Sequence, residues 1–295
     1  MTTQRSGVTV LHEHLSLLPA AVRERLMQRL QQVVQYQPVI GVMGKTGAGK
    51  SSLCNALFRG APCAVSDVEA CTRAATRLQL TFGAHALTLI DLPGVGESRA
   101  RDTEYQALYQ QLLPELDLIL WVIKADDRAL SVDEHVYHQL LSAANPRVPV
   151  LFVVNQADKA EPVAQWDRVQ QRPSASQWDT LERKVKAIAQ HFQVSPVHIR
   201  VVSATTGYQL PDLVEALVTA LPKQASSAVT VQLRETYRTD AVLDKARDDF
   251  GDTVSELIDW VIDSVPLPTP IKTLVKSVKN TVRQVAKSVW GWFFG

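Results

Sequence analysis

One segment near the start of the chain has the residues needed to bind a chain of phosphates. It reads Gly44-Lys45-Thr46-Gly47-Ala48-Gly49-Lys50-Ser51 and matches the pattern G-x-x-x-x-G-K-[ST] in full. The glycines let successive backbone N–H groups converge on phosphate oxygens, and a following helix adds its positive N-terminal dipole. In such a loop Lys50 reaches the β- and γ-phosphates and the Ser51 hydroxyl holds Mg²⁺. We predict a nucleoside triphosphate site; the alternative is a glycine-rich turn without a ligand.

Three later segments could complete this site, because each follows a predicted strand. They read Asp91-Leu92-Pro93-Gly94, Asn155-Gln156-Ala157-Asp158 and Ser203-Ala204. Ligands of parallel α/β sheets bind at the carboxyl ends of the strands, so we expect these residues beside the phosphate loop. Asp91 would act on Mg²⁺ through water. The alternative for this segment is a plain turn, since Asp, Pro and Gly all favour turns.

The elements that must position these residues alternate along the chain. Continuous apolar runs predict strands over residues 38–43, 76–82, 86–90, 116–123, 148–154 and 197–202. Helical periodicity separates them over residues 101–113, 131–143 and 180–192. Buried strands alternating with helices predict an α/β fold with a mostly parallel sheet, to which N- and C-terminal helices are added.

Composition excludes several classes of protein. The 295 residues include 31 basic and 30 acidic side chains, a net charge of +1 that offers no specific signal for nucleic acid. The three cysteines are an odd number without metal-ligand spacing, which favours a reducing cytosol. The chain contains no uninterrupted run of ~18 apolar residues, so the sequence predicts no membrane-spanning helix. We expect a cytoplasmic protein, with a peripheral contact to the inner membrane as a second hypothesis.

The combined motifs resemble those of the Era-like, HSR1-related bacterial P-loop GTPases, and above all an enterobacterial family found in prophage regions. Residues 44–52 and 91–96 are also similar to the interferon-inducible and immune-associated GTPases. The resemblance covers residues 38–222. It implies binding of GTP and GDP with Mg²⁺, and hydrolysis of GTP to GDP and phosphate as a conformational switch.

The resemblance also implies roles for individual residues at the base. Asp158 would accept hydrogen bonds from guanine N1 and the exocyclic amine, a pairing that adenine does not offer. Asn155 would brace the base, with Gln156 beside it, and Ser203 and Ala204 would close the pocket around guanine O6. An ATPase of the same fold is the more distant alternative.

At the phosphates, the resemblance implies binding by residues 44–52, including Ser52. Thr72 would be the switch threonine that caps Mg²⁺, with Thr76 in reserve, and the metal ligands would be Ser51, Thr72 and Asp91. The predicted catalytic residues are Lys50, Thr72 and Gly94.

Two departures from the family pattern concern catalysis and affinity. Gln156 stands where relatives have a lysine, which predicts weaker affinity with specificity retained. Val95 stands where Ras-like proteins have the glutamine that orients the attacking water, which predicts slow hydrolysis. Candidate groups within the chain are Glu97, Arg99 and Arg101, and a second copy in a homodimer across the nucleotide face could present any of them; the alternative is that they form a solvated charged loop. Hydrolysis would then rise with protein concentration or with a partner. The rival interpretation is a nucleotide-gated adaptor that does not hydrolyse GTP.

The two ends predict helical additions around a GTPase domain at residues 37–222. Residues 1–36 form an N-terminal amphipathic helix in this interpretation, with Pro19 in a first turn. Residues 223–295 contain an acidic helix, a proline-rich break at 266–270 and a basic amphipathic helix that ends in aromatic residues. The basic helix either folds back on the acidic one or binds a membrane surface through residues 271–294. Both occur if the nucleotide state releases the tail.

Overall fold

A computed structural model of the chain describes residues 7–16, 18–60, 76–92, 108–143, 148–264 and 266–295. Its strands are β1 (Val39–Met43), β2 (Thr76–Phe82), β3 (His85–Asp91), β4 (Leu118–Lys124), β5 (Val150–Asn155) and β6 (Ile199–Val201). They form one sheet in the order β2-β3-β1-β4-β5-β6. All neighbours run parallel except β2 and β3, which are antiparallel. The predicted α/β fold class is confirmed.

Ten helices are fully bounded within the described residues. They are α1 (Gly7–Leu15), α2 (Ala20–Val34), α3 (Lys50–Leu57), α4 (Ser131–Ala143), α5 (Ala175–His191), α6 (Leu210–Ala220), α7 (Lys223–Gln232), α8 (Asp240–Ser264), α9 (Thr269–Ser288) and α10 (Trp290–Phe294). Helix α5 begins five residues earlier than its apolar pattern predicts. Ser174 and Gln177 form a reciprocal capping box, and this local polar signal sets the start of the helix.

Burial along the strands follows their place in the sheet. Every residue of β4 except Lys124 is buried, because helices cover both faces of the sheet there. In the edge strand β2 only Leu80 is buried. One apolar layer packs α3, α6 and α7 on the sheet, and another packs α4 and α5 on the opposite face. The sheet therefore holds the carboxyl ends of its parallel strands at one edge, where the site is built.

The N-terminal segment forms two helices, although the sequence predicted one. Pro19 is the N-cap of α2, with an extended backbone at φ −53° and ψ 143°. Proline lacks an N–H group and disfavours a helical conformation at the residue before it, so the helix is interrupted here. Both helices pack on the C-terminal helices through a third apolar cluster, which includes Leu11, Leu26 and Phe250.

The basic helix α9 folds back on the acidic helix α8, as the first of the two interpretations predicted. Their ion pairs run in antiparallel register: Lys279 lies 2.6 Å from Asp259, Arg283 lies 2.6 Å from Asp252, and Lys287 pairs with Asp248. Gly251 permits this close approach, because a Cβ there would lie 2.6 Å from Lys287 Cγ.

Within the described ranges, no helix is both long and apolar enough to span a bilayer.

The aromatic end of the chain packs against α7 and the first residue of β3. Trp290 Nε1 donates to Ser227 Oγ at 2.9 Å. Phe294 stacks on His85 with 4.7 Å between ring centroids, and His85 Nε2 lies 2.6 Å from the Phe293 carbonyl oxygen. Helix α10 thus contacts the first residue of β3, whose last residue is Asp91.

Candidate nucleotide-binding site

The phosphate loop, residues 44–51, connects β1 to α3 and requires glycine at two positions. Gly44 has φ +134°, and a Cβ there would lie 2.1 Å from the Val122 carbonyl oxygen. Gly49 has φ +84°, and a Cβ there would lie 2.5 Å from Asn155 Nδ2. Helix α3 begins directly after Gly49, so its first N–H groups face the loop. The arrangement suits an anion such as a phosphate.

Lys50 and Asp91 lie close together beside this loop, and Ser51 follows Lys50 in the first turn of α3. Lys50 Nζ donates to the Gly44 carbonyl oxygen at 3.0 Å and lies 3.9 Å from Asp91 Oδ1. Burial raises the pKa of Asp91, while Lys50 opposes that shift. Asp91 Oδ1 is buried without a hydrogen bond, although 41% of the side chain as a whole stays accessible. A carboxylate and a hydroxyl are oxygen ligands that Mg²⁺ prefers, so these residues fit that ion.

Lys45 joins the phosphate loop to the segment after β4. Its Nζ donates to Asp127 Oδ2 at 2.8 Å and lies 3.0 Å from Asp133 Oδ2. Asp133 also accepts from Trp121 Nε1 at 3.2 Å. Burial raises the pKa of Asp133 even though Lys45 opposes the shift. At Asp127 burial acts in the same direction, but the hydrogen bonds from Lys45 and the Ala129 N–H and the charges of Lys45 and Lys184 together outweigh it, so the pKa is lowered. Lys45 is therefore held by two carboxylates of different acidity.

Asn155 connects the phosphate loop to the segment after β6. Its Nδ2 donates to the Ala48 carbonyl at 3.0 Å and to the Gly49 carbonyl at 3.4 Å. Its Oδ1 accepts from the Ala204 N–H at 3.0 Å. The side chain is buried, with 1% of the residue accessible. One amide therefore sets the distance between the two ends of the site.

Gln156 contacts the loop as well. It has a left-handed backbone at φ 62°, and its Nε2 donates to the Gly47 carbonyl at 2.8 Å. The neutral amide thus bonds to the loop at the position where the sequence indicated only the loss of a lysine.

Ser203 orients the carboxylate at the far end of the site. Its Oγ donates to Asp158 Oδ1 at 2.6 Å and accepts from the Thr206 N–H at 3.3 Å. Asp158 is thereby turned toward the segment that begins with Ser203 and Ala204. A carboxylate fixed in this way can accept hydrogen bonds from the N–H groups of a base.

Most of the predicted site residues meet at this edge of the sheet. The structure brings together residues 44–52, Asp91, Asn155, Gln156, Asp158, Ser203 and Ala204. Thr76 is the exposed first residue of β2 and pairs in register with Asp91. The predicted Thr72 and Gly94 lie outside the described residues, as do Val95, Glu97, Arg99 and Arg101.

Sequence reasoning missed the ion pairs of Lys45 with Asp127 and Asp133. The signal was present, because Asp127 lies just beyond the carboxyl end of β4, and Asp91 lies at the carboxyl end of β3. Inspection of every strand end for charged residues would have found it.

Sequence comparison shows which known proteins this chain is similar to. The family model described as "50S ribosome-binding GTPase" matches residues 39–156. The uncharacterized Escherichia coli K12 proteins YkfA and YfjP are 47% and 48% identical, over 98% and 96% of this chain and 98% and 97% of their own. GTPase Der of Lactobacillus delbrueckii is 30% identical over 42% of this chain and 28% of its own.

Among solved structures, Aquifex aeolicus Era bound to GDP·AlF₄⁻ is similar with a TM-score of 0.46 and 22% identity. The match covers 63% of this chain and 57% of Era.

Proposed function

The chain belongs to the P-loop GTPase family that includes Escherichia coli YkfA and YfjP, and we propose that it acts as a guanine-nucleotide-dependent conformational switch. Membership implies GTP binding and hydrolysis in general. The observation that best supports a switch in this chain is the Asn155 amide, which bonds to both the phosphate loop and Ala204. A ligand that occupies the phosphate loop therefore acts on the base pocket through one buried side chain.

Guanine would be selected at Asp158. Its carboxylate is held by Ser203 at 2.6 Å and would accept hydrogen bonds from guanine N1–H and the exocyclic amine. Adenine has an acceptor at N1 and no amine beside it, so it would leave the carboxylate unpaired. Ser203 and Ala204 would close the pocket around guanine O6. This pocket supports GTP and GDP as the ligands and argues against an ATPase.

Hydrolysis in this proposal needs positioning and charge neutralisation more than covalent chemistry. The oxygen of a water molecule bonds to the γ-phosphorus while the bond from that phosphorus to the β–γ bridging oxygen breaks. The electron pair of the broken bond stays on GDP, and a water proton passes to the released phosphate. Lys50 and the loop N–H groups would donate to the β- and γ-phosphate oxygens, and Ser51, Asp91 and Thr72 would hold Mg²⁺. Mg²⁺ when bound neutralises charge on the same oxygens.

Turnover would be slow, because Val95 has no polar group to orient water. We propose that a partner or a second copy across the nucleotide face raises it, and that Thr72 and Gly94 respond to the γ-phosphate. The segment that carries Thr72 directly precedes β2, and the segment that carries Gly94 directly follows β3, the strand that α10 contacts through His85.

The terminal helices form a second unit in this proposal, with residues 1–36 and 223–295 flanking a GTPase domain at 37–222. Val275, Val282 and Ala286 are buried against the other terminal helices. A membrane contact through residues 271–294 would therefore require release of α9 from α8, and the nucleotide state would control that release.

Nucleotide binding and single-turnover phosphate release test the proposal. We expect the full chain to bind mant-GDP at least ~10-fold more tightly than mant-ADP, and Asp158→Ala to abolish that preference. Lys50→Ala should prevent binding of both, whereas the control Lys186→Ala changes an exposed lysine on α5 and should have no effect. GTP binding without phosphate release would instead identify a nucleotide-gated adaptor. Equal affinity for the two bases would refute guanine selection.

A further inference from the structure

The positive side chains around the phosphate loop differ in whether they have partners. Lys50 bonds to the Gly44 carbonyl, Lys45 pairs with Asp127 and Asp133, and Lys124 lies 3.4 Å from Asp126. Among the described residues around this loop, Arg128 is the cation with neither a hydrogen bond nor an ion pair. Arg128 is exposed, and its guanidinium carries five N–H donors and a permanent charge that are open to a ligand from solvent.

Arg128 also lies at the phosphate end of the site. It lines a cavity of about 290 Å³ together with Lys45 and Thr46, the second and third residues of the phosphate loop. Three carboxylates and three cations line the same cavity, and ion pairs join Lys45 to Asp127 and Asp133 and Lys124 to Asp126. Among these charged side chains, Arg128 is the one that no described ion pair holds.

The backbone on both sides of Arg128 is anchored. Asp127 Oδ1 accepts from the Ala129 N–H at 2.9 Å, and the Lys184 amine donates to the Asp127 carbonyl. Lys45 bonds to the Asp127 carboxylate and also donates to the Ala129 carbonyl. The residues before and after Arg128 are thus fixed to the phosphate loop and to α5. Movement of Arg128 toward a ligand in the loop is therefore movement of its side chain.

From these observations we propose that Arg128 is a catalytic residue for GTP hydrolysis and that its guanidinium neutralises the γ-phosphoryl group in its own chain. The inference rests on the proposed GTPase activity. During the transfer, negative charge spreads over the three equatorial γ-phosphate oxygens, and a planar guanidinium can donate to two of them at once. Arg128 keeps its proton throughout, so the bonds made and broken are those of the hydrolysis step already described.

The test compares Arg128→Ala and Arg128→Lys with the control Arg183→Ala in the full chain. Arg183 lines the adjoining cavity of about 830 Å³ and bonds only to atoms of its own helix. Single-turnover GTP hydrolysis and mant-GDP affinity are measured for each. We expect Arg128→Ala to lower the rate by ~10²-fold or more, with mant-GDP affinity within ~3-fold of wild type. Arg128→Lys should recover part of the rate, and Arg183→Ala should match wild type.

Several results would overturn the proposal. A rate for Arg128→Ala within ~3-fold of wild type would remove the catalytic role while leaving the proposed function intact, because Lys50→Ala and Asp158→Ala test that separately. Recovery on mixing Arg128→Ala with Lys50→Ala would show that the arginine acts on a second copy, contrary to the assignment within one chain. If wild type bound GTP without hydrolysing it, both the GTPase proposal and this role would fall.

Discussion

Removal of the Asn155 side chain should uncouple the phosphate loop from the base pocket. In Asn155→Ala the Ala48 carbonyl and the Ala204 N–H both lose a buried hydrogen-bond partner. The Gly49 carbonyl loses a longer bond of 3.4 Å but keeps the Leu53 N–H at 2.9 Å. All three groups lose the bond to Asn155, but only the Ala48 carbonyl and the Ala204 N–H are left without a described hydrogen bond.

The magnitude follows from those two groups. A buried polar group left unpaired costs about 1–3 kcal/mol, and entry of water into the gap offsets part of it, so the sum is ~2–4 kcal/mol. The lost bonds join segments that flank the ligand, so most of this cost should appear in nucleotide affinity. At 1.4 kcal/mol per factor of ten, we expect mant-GDP affinity to fall by about 30- to 700-fold.

Fluorescence titration with mant-GDP measures the affinity, and urea unfolding without nucleotide measures the remainder. Asn280→Ala changes an exposed asparagine on α9 and serves as the matched control, with both values expected unchanged. Asn155→Asp retains the acceptor for Ala204 but places a carboxylate oxygen against the Ala48 carbonyl, so it should also bind weakly. Affinity within ~3-fold of wild type together with an unchanged urea midpoint for Asn155→Ala would refute the coupling.

Three further outcomes are expected. Gly44→Ala should abolish mant-GDP binding, because its Cβ would lie 2.1 Å from the Val122 carbonyl; binding within ~3-fold of wild type would contradict the loop geometry. Gly251→Leu should separate α9 from α8, since a Cβ there already lies 3.1 Å from the Arg283 carbonyl, and limited proteolysis should then cleave α9 faster than in wild type. Burial acts to raise the pKa of Asp252, but the hydrogen bonds and charges of Arg283 and Lys223 outweigh it and hold the pKa below its ordinary value. The ion pair therefore stabilises the fold above about pH 4, and this stabilisation is lost as the pH falls through the lowered pKa. The difference in urea midpoint between wild type and Asp252→Asn should therefore shrink from about pH 6 to about pH 3, and a constant difference would contradict the ion pair's role.

The sequence was sufficient to predict the fold class and the meeting of the phosphate loop with the later strand ends at one edge of the sheet. The phosphate loop was recognisable because the left-handed backbone at Gly47 and Gly49 favours glycine, and this preference leaves a local signature in the sequence. The later strand ends were recognisable because parallel strands bring their carboxyl ends to one edge. The α8–α9 hairpin followed from acidic and basic residues that recur with the same helical period. The roles of Thr72 and Gly94 stay predictions.

Contacts between distant segments depended on the tertiary structure alone. Tyr36 donates to Asp117 at 2.7 Å across 81 residues, and Lys45 meets Asp127 across 82. His85 meets Phe293 across 208. Residue spacing specifies which face of one helix or strand is buried, but it does not specify which side chain of another element packs there. The position of Arg128 beside the phosphate loop likewise depends on tertiary contacts, because Lys45 and Lys184 hold the residues on either side of it.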